Sequence, residues 1–185
     1  MSFSHFPEHR DWEMGKTSPE GTDMAVVELW FDGACEPTNP GGTGVWGFLV
    51  KAPGLDGLAE CGTLPAKPDM TNNVAEYTAL GKGLRFLVDC TTKPDMPSVP
   101  LARDTELVIR GDSKLVIEQL NGTWQCRNER LKTLLARCKE LLDQLTANWR
   151  AEWVPREENT EADELTRRAY LDATGKPMPE RRKKR

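Results

Sequence analysis

Val26-Val-Glu-Leu-Trp-Phe-Asp-Gly-Ala-Cys35 is the stretch on which the reading of this chain turns. Its β-branched and aromatic residues suit a pleated, half-buried strand. It also presents one carboxylate, Asp32, directly before Gly33, where the backbone is free to turn away. We read it as the central strand of a sheet. Asp32 is then the acid around which three later ones, Glu76, Asp112 and Asp163, gather.

Outward from that strand, residues 36–44 are dense in Pro, Gly, Asn and Thr and form a loop. Residues 45–51 and 58–64 read as two further strands around Pro53-Gly54, so the first three strands make an antiparallel meander. A helix is expected over 74–88, with Ala75, Leu80, Leu84 and Leu87 on one stripe. Residues 91–105 hold three prolines and read as a loop. A short strand over 106–110 leads directly into a helix over 113–120, which Asn121-Gly122 stops. The clearest helix spans 128–146, where Leu131, Leu134, Leu135, Cys138, Leu141, Leu142 and Leu145 recur at intervals of three and four. A last strand over 149–154 is closed by Pro155, and a final helix covers 160–170. That order points to an α/β protein with a mixed sheet covered by helices on its faces. Strands joined through helices are expected to run parallel, because a parallel pair needs a long crossover.

The 185 residues suit one domain over 24–171, between a flexible extension over 1–23 and a basic tail over 172–185 that ends Arg181-Arg-Lys-Lys-Arg185. No apolar run approaches the roughly 18 residues of a membrane helix. The start of the chain lacks the pattern of a signal peptide. Five scattered cysteines form no Cys-x-x-Cys pair, and the two histidines lie at positions 5 and 9. That argues against a zinc site and a disulfide frame, and points to a reducing, cytoplasmic setting. The net charge of −4 and the pI near 5.4 do not advertise a nucleic-acid binder. A local cluster of acids that holds cations would itself pull the total negative.

Each acid has an ordinary reading. Asp32-Gly33 is a turn sequence, Asn73-Val-Ala-Glu76 and Thr160-Glu-Ala-Asp163 match capping boxes, and Asp112 suits an N-cap. Taken together they have another. Asp32 and Asp112 close apolar strands, and Glu76 and Asp163 sit in first helical turns. In an open sheet with parallel crossovers, ligands gather at the carboxyl ends of such strands. Converging carboxylates repel one another, and a divalent cation relieves the repulsion. Oxygen-only ligands favour Mg²⁺ or Mn²⁺. Two such ions, about 3.5–4 Å apart, orient an attacking water and stabilise the leaving oxygen of a phosphodiester. Asn39, Asn72 and Asn73 offer amides suited to sugar hydroxyls, phosphates or base edges, though turn and cap chemistry explains them as well. Trp124 is placed to stack on a sugar or base, or to pack after a helix stop, while Trp30, Trp46, Trp149 and Trp153 are assigned to the core or to sheet faces.

Phe31-Asp-Gly-Ala-Cys35 with Asn39-Pro-Gly-Gly42, Thr71-Asn-Asn-Val-Ala-Glu76, Arg110-Gly-Asp-Ser113 and Glu158-Asn-Thr-Glu-Ala-Asp-Glu-Leu165 resemble, in order and spacing, type 1 ribonuclease H. The resemblance covers about residues 25–171. It implies a ribonuclease H-like fold: a five-stranded mixed sheet, three antiparallel strands then two parallel, with helices on both faces. It implies a metal-dependent endonuclease that cuts the RNA strand of RNA–DNA hybrids, leaving 5′-phosphate and 3′-hydroxyl ends. Under it, Asp32 bridges two Mg²⁺ ions, Asp163 helps hold the ion that activates water, and Glu76 and Asp112 hold the ion at the leaving group. Asn39, Asn72 and Asn73 line the hybrid's minor groove; Trp124, by its position after the helix stop, and Arg156, in the loop before Asp163, are further candidates for substrate contact. Two departures stand out. The loop before Asp163 has no histidine, so proton handling falls to water or to Glu157 or Glu158. The basic protrusion of many relatives is also absent, which marks the compact form, adds double-stranded RNA as a further substrate and leaves a monomer expected. The rival readings are a non-catalytic module that binds hybrid or double-stranded RNA, and a related exonuclease of the same superfold.

Overall fold

The structure, a computed structural model, describes residues 24–179. The extension expected over 1–23 and the basic run at 181–185 lie outside the described residues. Strands β1 (Ala25–Glu36), β2 (Thr43–Ala52) and β3 (Leu55–Leu64) form the expected antiparallel meander. Strands β4 (Thr105–Gly111) and β5 (Asn148–Trp153) extend the sheet in parallel on the other side of β1. The order β3-β2-β1-β4-β5 makes β1 the central strand of five.

Strand alternation distributes β1 between two faces. Val27, Leu29 and Phe31 enter the main core with Leu80, Leu84 and Leu87 of α1 (Asn72–Thr92) and Leu141 and Leu142 of α3 (Glu129–Leu142). Ala34 faces the other way and packs with Ala169 and Tyr170 of α4 (Thr160–Thr174). The short α2 (Lys114–Leu120) follows β4 directly and buries Val116, Ile117 and Leu120. Elsewhere on the sheet, Arg110 bridges Glu28 and Glu152 on the two neighbouring strands, which ties the end of β4 in place two residues before Asp112.

β1 does not end near Asp32. Its pairing with β2 continues to Glu36↔Thr43, whereas its pairing with β4 stops at Phe31↔Gly111. Asp32 is therefore the first residue of β1 beyond the reach of β4, and the opening lies between strands rather than at a turn. Helix α1 starts two residues earlier than expected because Thr71 caps it, accepting from the Val74 N–H at 3.2 Å. It runs on to Thr92 and stops just ahead of Pro94, whose ring disfavours helical backbone at the residue before it. Helix α3 ends at Leu142, four residues short of the expected 146, yet Leu145 beyond it is still buried. Within its stripe, Leu134 and Leu135 are only partly covered. Helix α4 runs four residues past 170 and is stopped by Gly175 at φ 66°. Met178 then packs against the cluster around Ala34 and Tyr170.

The tryptophans divide. Trp30 and Trp46 are partly buried on sheet faces. Trp149 and Trp153, on the edge strand β5, are 37% and 47% exposed, so neither is a core residue. All five cysteines are free thiols. Among the described residues no helix is long and apolar enough to cross a membrane.

Candidate active site

Three acids converge from three elements. Asp32 on β1 and Glu76 on α1 are buried, and Asp112 follows β4 half-buried. One carboxylate oxygen of each lies within 4.8 Å of the others. The approach of Glu76 depends on Gly33. A Cβ there would lie 2.4 Å from the Glu76 backbone nitrogen, so only glycine lets the start of α1 press on the central strand. Gly47 does the same on the opposite face, where a Cβ would meet the Leu165 side chain of α4 at 2.6 Å. Two glycines thus bring both acid-bearing helices against the sheet.

The ordinary readings of the acids do not hold here. Asp32 lies inside a strand and not in a turn. Thr71, not Asn73, caps α1, so Glu76 is no partner in a capping box. Ser113, not Asp112, occupies the N-cap position of α2. Asn159 precedes α4, and the Asp163 carboxylate is engaged by arginines.

Asp163 stands apart from the three-acid group. Its two oxygens pair with Arg156, from the turn at Arg156–Glu158, and with Arg167 Nε at 2.7 Å, one helical turn on. Its backbone remains tied to the site. Thr166 Oγ1 lies 2.7 Å from Asp32 Oδ2 and 2.7 Å from the Asp163 carbonyl. Arg156 therefore meets an acid of the candidate site in this structure, and Arg167 shares it.

The expected groove residues are connected to one another. Asn39 Oδ1 accepts from the Asn72 N–H at 3.2 Å, and Asn72 Oδ1 accepts from the Cys35 N–H at 2.7 Å. Both side-chain carbonyls are thus engaged by backbone N–H groups, with the amide nitrogens at the other end of each group. The Cys35 thiol donates to the Thr38 carbonyl at 3.1 Å, and burial holds its pKa above the ordinary value. Asn73 sits half-buried at the start of α1. Trp124 lies in the connection between α2 and α3, 46% exposed, and does not belong to the acidic group.

Sequence reasoning missed three residues. Asn159 is 1% exposed. Its Nδ2 donates to the Phe31 carbonyl at 2.9 Å and lies 3.5 Å from Asp112 Oδ1, so it joins β1, Asp112 and the start of α4. Thr166 is fully buried against Asp32. Trp153 donates its indole N–H to the Asp112 carbonyl at 3.1 Å. Asn159 sits inside a motif already singled out, four residues before Asp163. Thr166 and Trp153 carry no comparable local signal.

A mixed sheet with three carboxylates gathered beside the ends of its parallel strands defines an α/β protein whose hard oxygen donors could hold a divalent cation. Comparison with known proteins narrows this. The family model described as Reverse transcriptase-like matches residues 101–169. "Ribonuclease HI" of Halobacterium salinarum is 35% identical over 147 residues, covering 80% of this chain and 65% of that protein. The solved N-terminal RNase H domain of rv2228c from Mycobacterium tuberculosis is 31% identical with a TM-score of 0.64, covering 82% of this chain and 96% of that one. LC11-RNase H1, solved in complex with RNA/DNA hybrid, is 26% identical with a TM-score of 0.66, covering 80% and 98%. The chain belongs to the ribonuclease H family. It spans about two thirds of the Halobacterium relative (65%) and 33% of the full-length mycobacterial relatives.

Proposed function

We propose that this chain is a metal-dependent endonuclease that hydrolyses the RNA strand of RNA–DNA hybrids and leaves 5′-phosphate and 3′-hydroxyl ends. The observation that carries this reading is the meeting of Asp32, Glu76 and Asp112, from three separate elements, within 4.8 Å. Such close carboxylates repel unless a cation lies between them. Their all-oxygen chemistry fits Mg²⁺, with Mn²⁺ as a substitute. Bound divalent cations would supply Lewis-acid charge, which orients a water and stabilises the leaving oxygen of a phosphodiester.

In this reading Asp32, Glu76 and Asp112 would hold a divalent cation, and Asp163 would add a further carboxylate for a second. Arg156 and Arg167 flank that carboxylate and would balance part of its negative charge. Arg156, beside Asp163 and one-third exposed, would meet the phosphate backbone. Asn159 and Thr166 keep Asp112 and Asp32 oriented throughout. Asn39 and Asn72, with their carbonyls engaged by backbone N–H groups, present amide donors to the acceptors of a hybrid minor groove. A 2′-hydroxyl beside the acids would distinguish the RNA strand from DNA. Membership of the ribonuclease H family and the hybrid bound to LC11-RNase H1 support the choice of substrate.

The test is cleavage of labelled hybrid, double-stranded RNA and DNA duplex, with and without Mg²⁺, by the full chain and by Asp32→Asn. Internal cuts in the hybrid's RNA strand that need Mg²⁺, and that Asp32→Asn loses while keeping its circular dichroism, are expected. Products trimmed only from an end would replace the reading with an exonuclease. Hybrid binding with no turnover at any Mg²⁺ concentration would replace it with a binding module. An independent check is thermal unfolding. Mg²⁺ should raise the melting temperature of the full chain and not that of Asp32→Asn.

A further inference from the structure

Trp153 stands at the end of the edge strand β5, beside the acidic group and 47% exposed. An aromatic ring of that size in water forgoes the burial that normally stabilises tryptophan. Its indole N–H donates to the Asp112 carbonyl at 3.1 Å, so the ring is fixed in position next to one of the three acids. Lys114, two residues after Asp112, is exposed and places its ammonium 5.9 Å from the ring centre. That distance is at the outer limit of a cation–π contact, so the ammonium sits beside the ring with its charge open to another partner. Among the described residues Lys114 makes no ion pair. The result is a flat apolar surface and a free cation held side by side at the rim of a carboxylate cluster.

We propose that Trp153 and Lys114 form a nucleotide subsite flanking the acids, which takes the sugar–phosphate unit next to the one being cut. The sugar face packs on the indole, and the adjoining phosphate meets the Lys114 ammonium. Charge complementarity favours this occupant. The three acids repel a polyanion, and Lys114 supplies a compensating positive charge at their edge where a phosphate can be accepted. In a duplex the bases are paired inward, so the sugar and phosphate are what a rim residue meets. The subsite rests on the hybrid-nuclease reading and deepens it.

The test measures binding of a fluorescein-labelled RNA–DNA hybrid by anisotropy in the cleavage-inactive Asp32→Asn chain, in Mg²⁺, over a range of salt. Adding Trp153→Ala should weaken binding about 3- to 10-fold, the scale of an aromatic contact. Trp153→Phe, which keeps a ring and loses the N–H donor, should recover most of that loss. Lys114→Gln should lower the slope of log affinity against log salt by about 1, as removal of one phosphate contact does. Unchanged affinity in Trp153→Ala, with the parent binding hybrid, overturns the subsite and leaves the nuclease reading intact. Trp153→Phe behaving like Trp153→Ala also overturns it, since the operative group is then the bond to Asp112. A parent chain that does not bind hybrid overturns both.

Discussion

Thr166 donates its hydroxyl to Asp32 Oδ2 at 2.7 Å, joining α4 to the central strand at the residue on which the site is centred. The Thr166 hydroxyl oxygen also lies 2.7 Å from the Asp163 carbonyl, so one hydroxyl holds two of the acid-bearing segments at a set separation. Thr166→Val keeps the shape and deletes the donor. Without divalent cation, urea unfolding of this variant should show a loss of about 1.5–3 kcal/mol, the range for a hydrogen bond to a charged group. Thr166→Ser should recover most of it. Equal stability of Thr166→Val and the parent would mean that Asp32 is held by its other surroundings.

Gly33 sets how closely α1 approaches the sheet. In Gly33→Ala the new methyl would meet Ala75 and Glu76 backbone atoms at 2.4 Å, a contact that no rotamer relieves. The variant should unfold about 1–3 kcal/mol more easily. Its Mg²⁺ titration should also shift to higher concentration, because Glu76 is displaced from Asp32. Retention of both properties would show that the helix can withdraw without disturbing the acids.

Arg167 offsets part of the negative charge that Asp163 adds to the site. The pair is 41% and 15% exposed at its two side chains, so solvent screening keeps its value small. Arg167→Gln should cost about 0.5–1 kcal/mol in metal-free buffer. Mg²⁺ should then stabilise the variant more than the parent, because a cation replaces the lost counter-charge. Denaturation curves with and without MgCl₂ decide this, and an identical Mg²⁺ increment in both proteins would refute it.

Cys138 is buried in the main core, and burial pushes its thiol from 9.0 up to about 12. Iodoacetamide at about pH 8 should leave it unlabelled in the native protein and label it in urea, because the thiolate is the reactive form. The sign of the pH effect follows from linkage. The folded value lies above the unfolded one, so the contribution of Cys138 to stability is complete below pH 9.0 and is lost as pH rises toward about 12. Cys138→Ala should flatten that alkaline loss in a series of melting curves. Rapid labelling of the native protein would refute the assignment.

Much of the architecture was legible because its signals are local. The alternation along β1, the prolines that bound α1 and β5, and the stripe of α3 each act over a few residues. The errors were local as well. Helix α1 starts earlier than its sequence suggests because its cap is Thr71, and Asn73 with Glu76 imitates a capping box two residues inside. Asp32-Gly33 read as a turn because glycine usually marks one, whereas here it marks the close passage of a helix backbone. Trp153 read as a candidate for the core because strand tryptophans are commonly covered, and nothing in its neighbours announces that β5 lies at the sheet edge.

The sequence by itself determined the order of elements, the candidacy of the four acids and the family, since each depends on residue type and spacing along the chain. Only the tertiary structure decided how those acids stand to one another. Asp32, Glu76 and Asp112 meet, while Asp163 turns to Arg156 and Arg167. The groups that hold the site are chosen by contacts across long separations: Thr166 with Asp32 over 134 residues, and Asn159 with Phe31 over 128. Such contacts leave no periodic trace in a sequence. They arise where the central strand outruns its parallel neighbour, and a glycine without a Cβ and a helix of fixed pitch bring distant side chains within a hydrogen bond of each other.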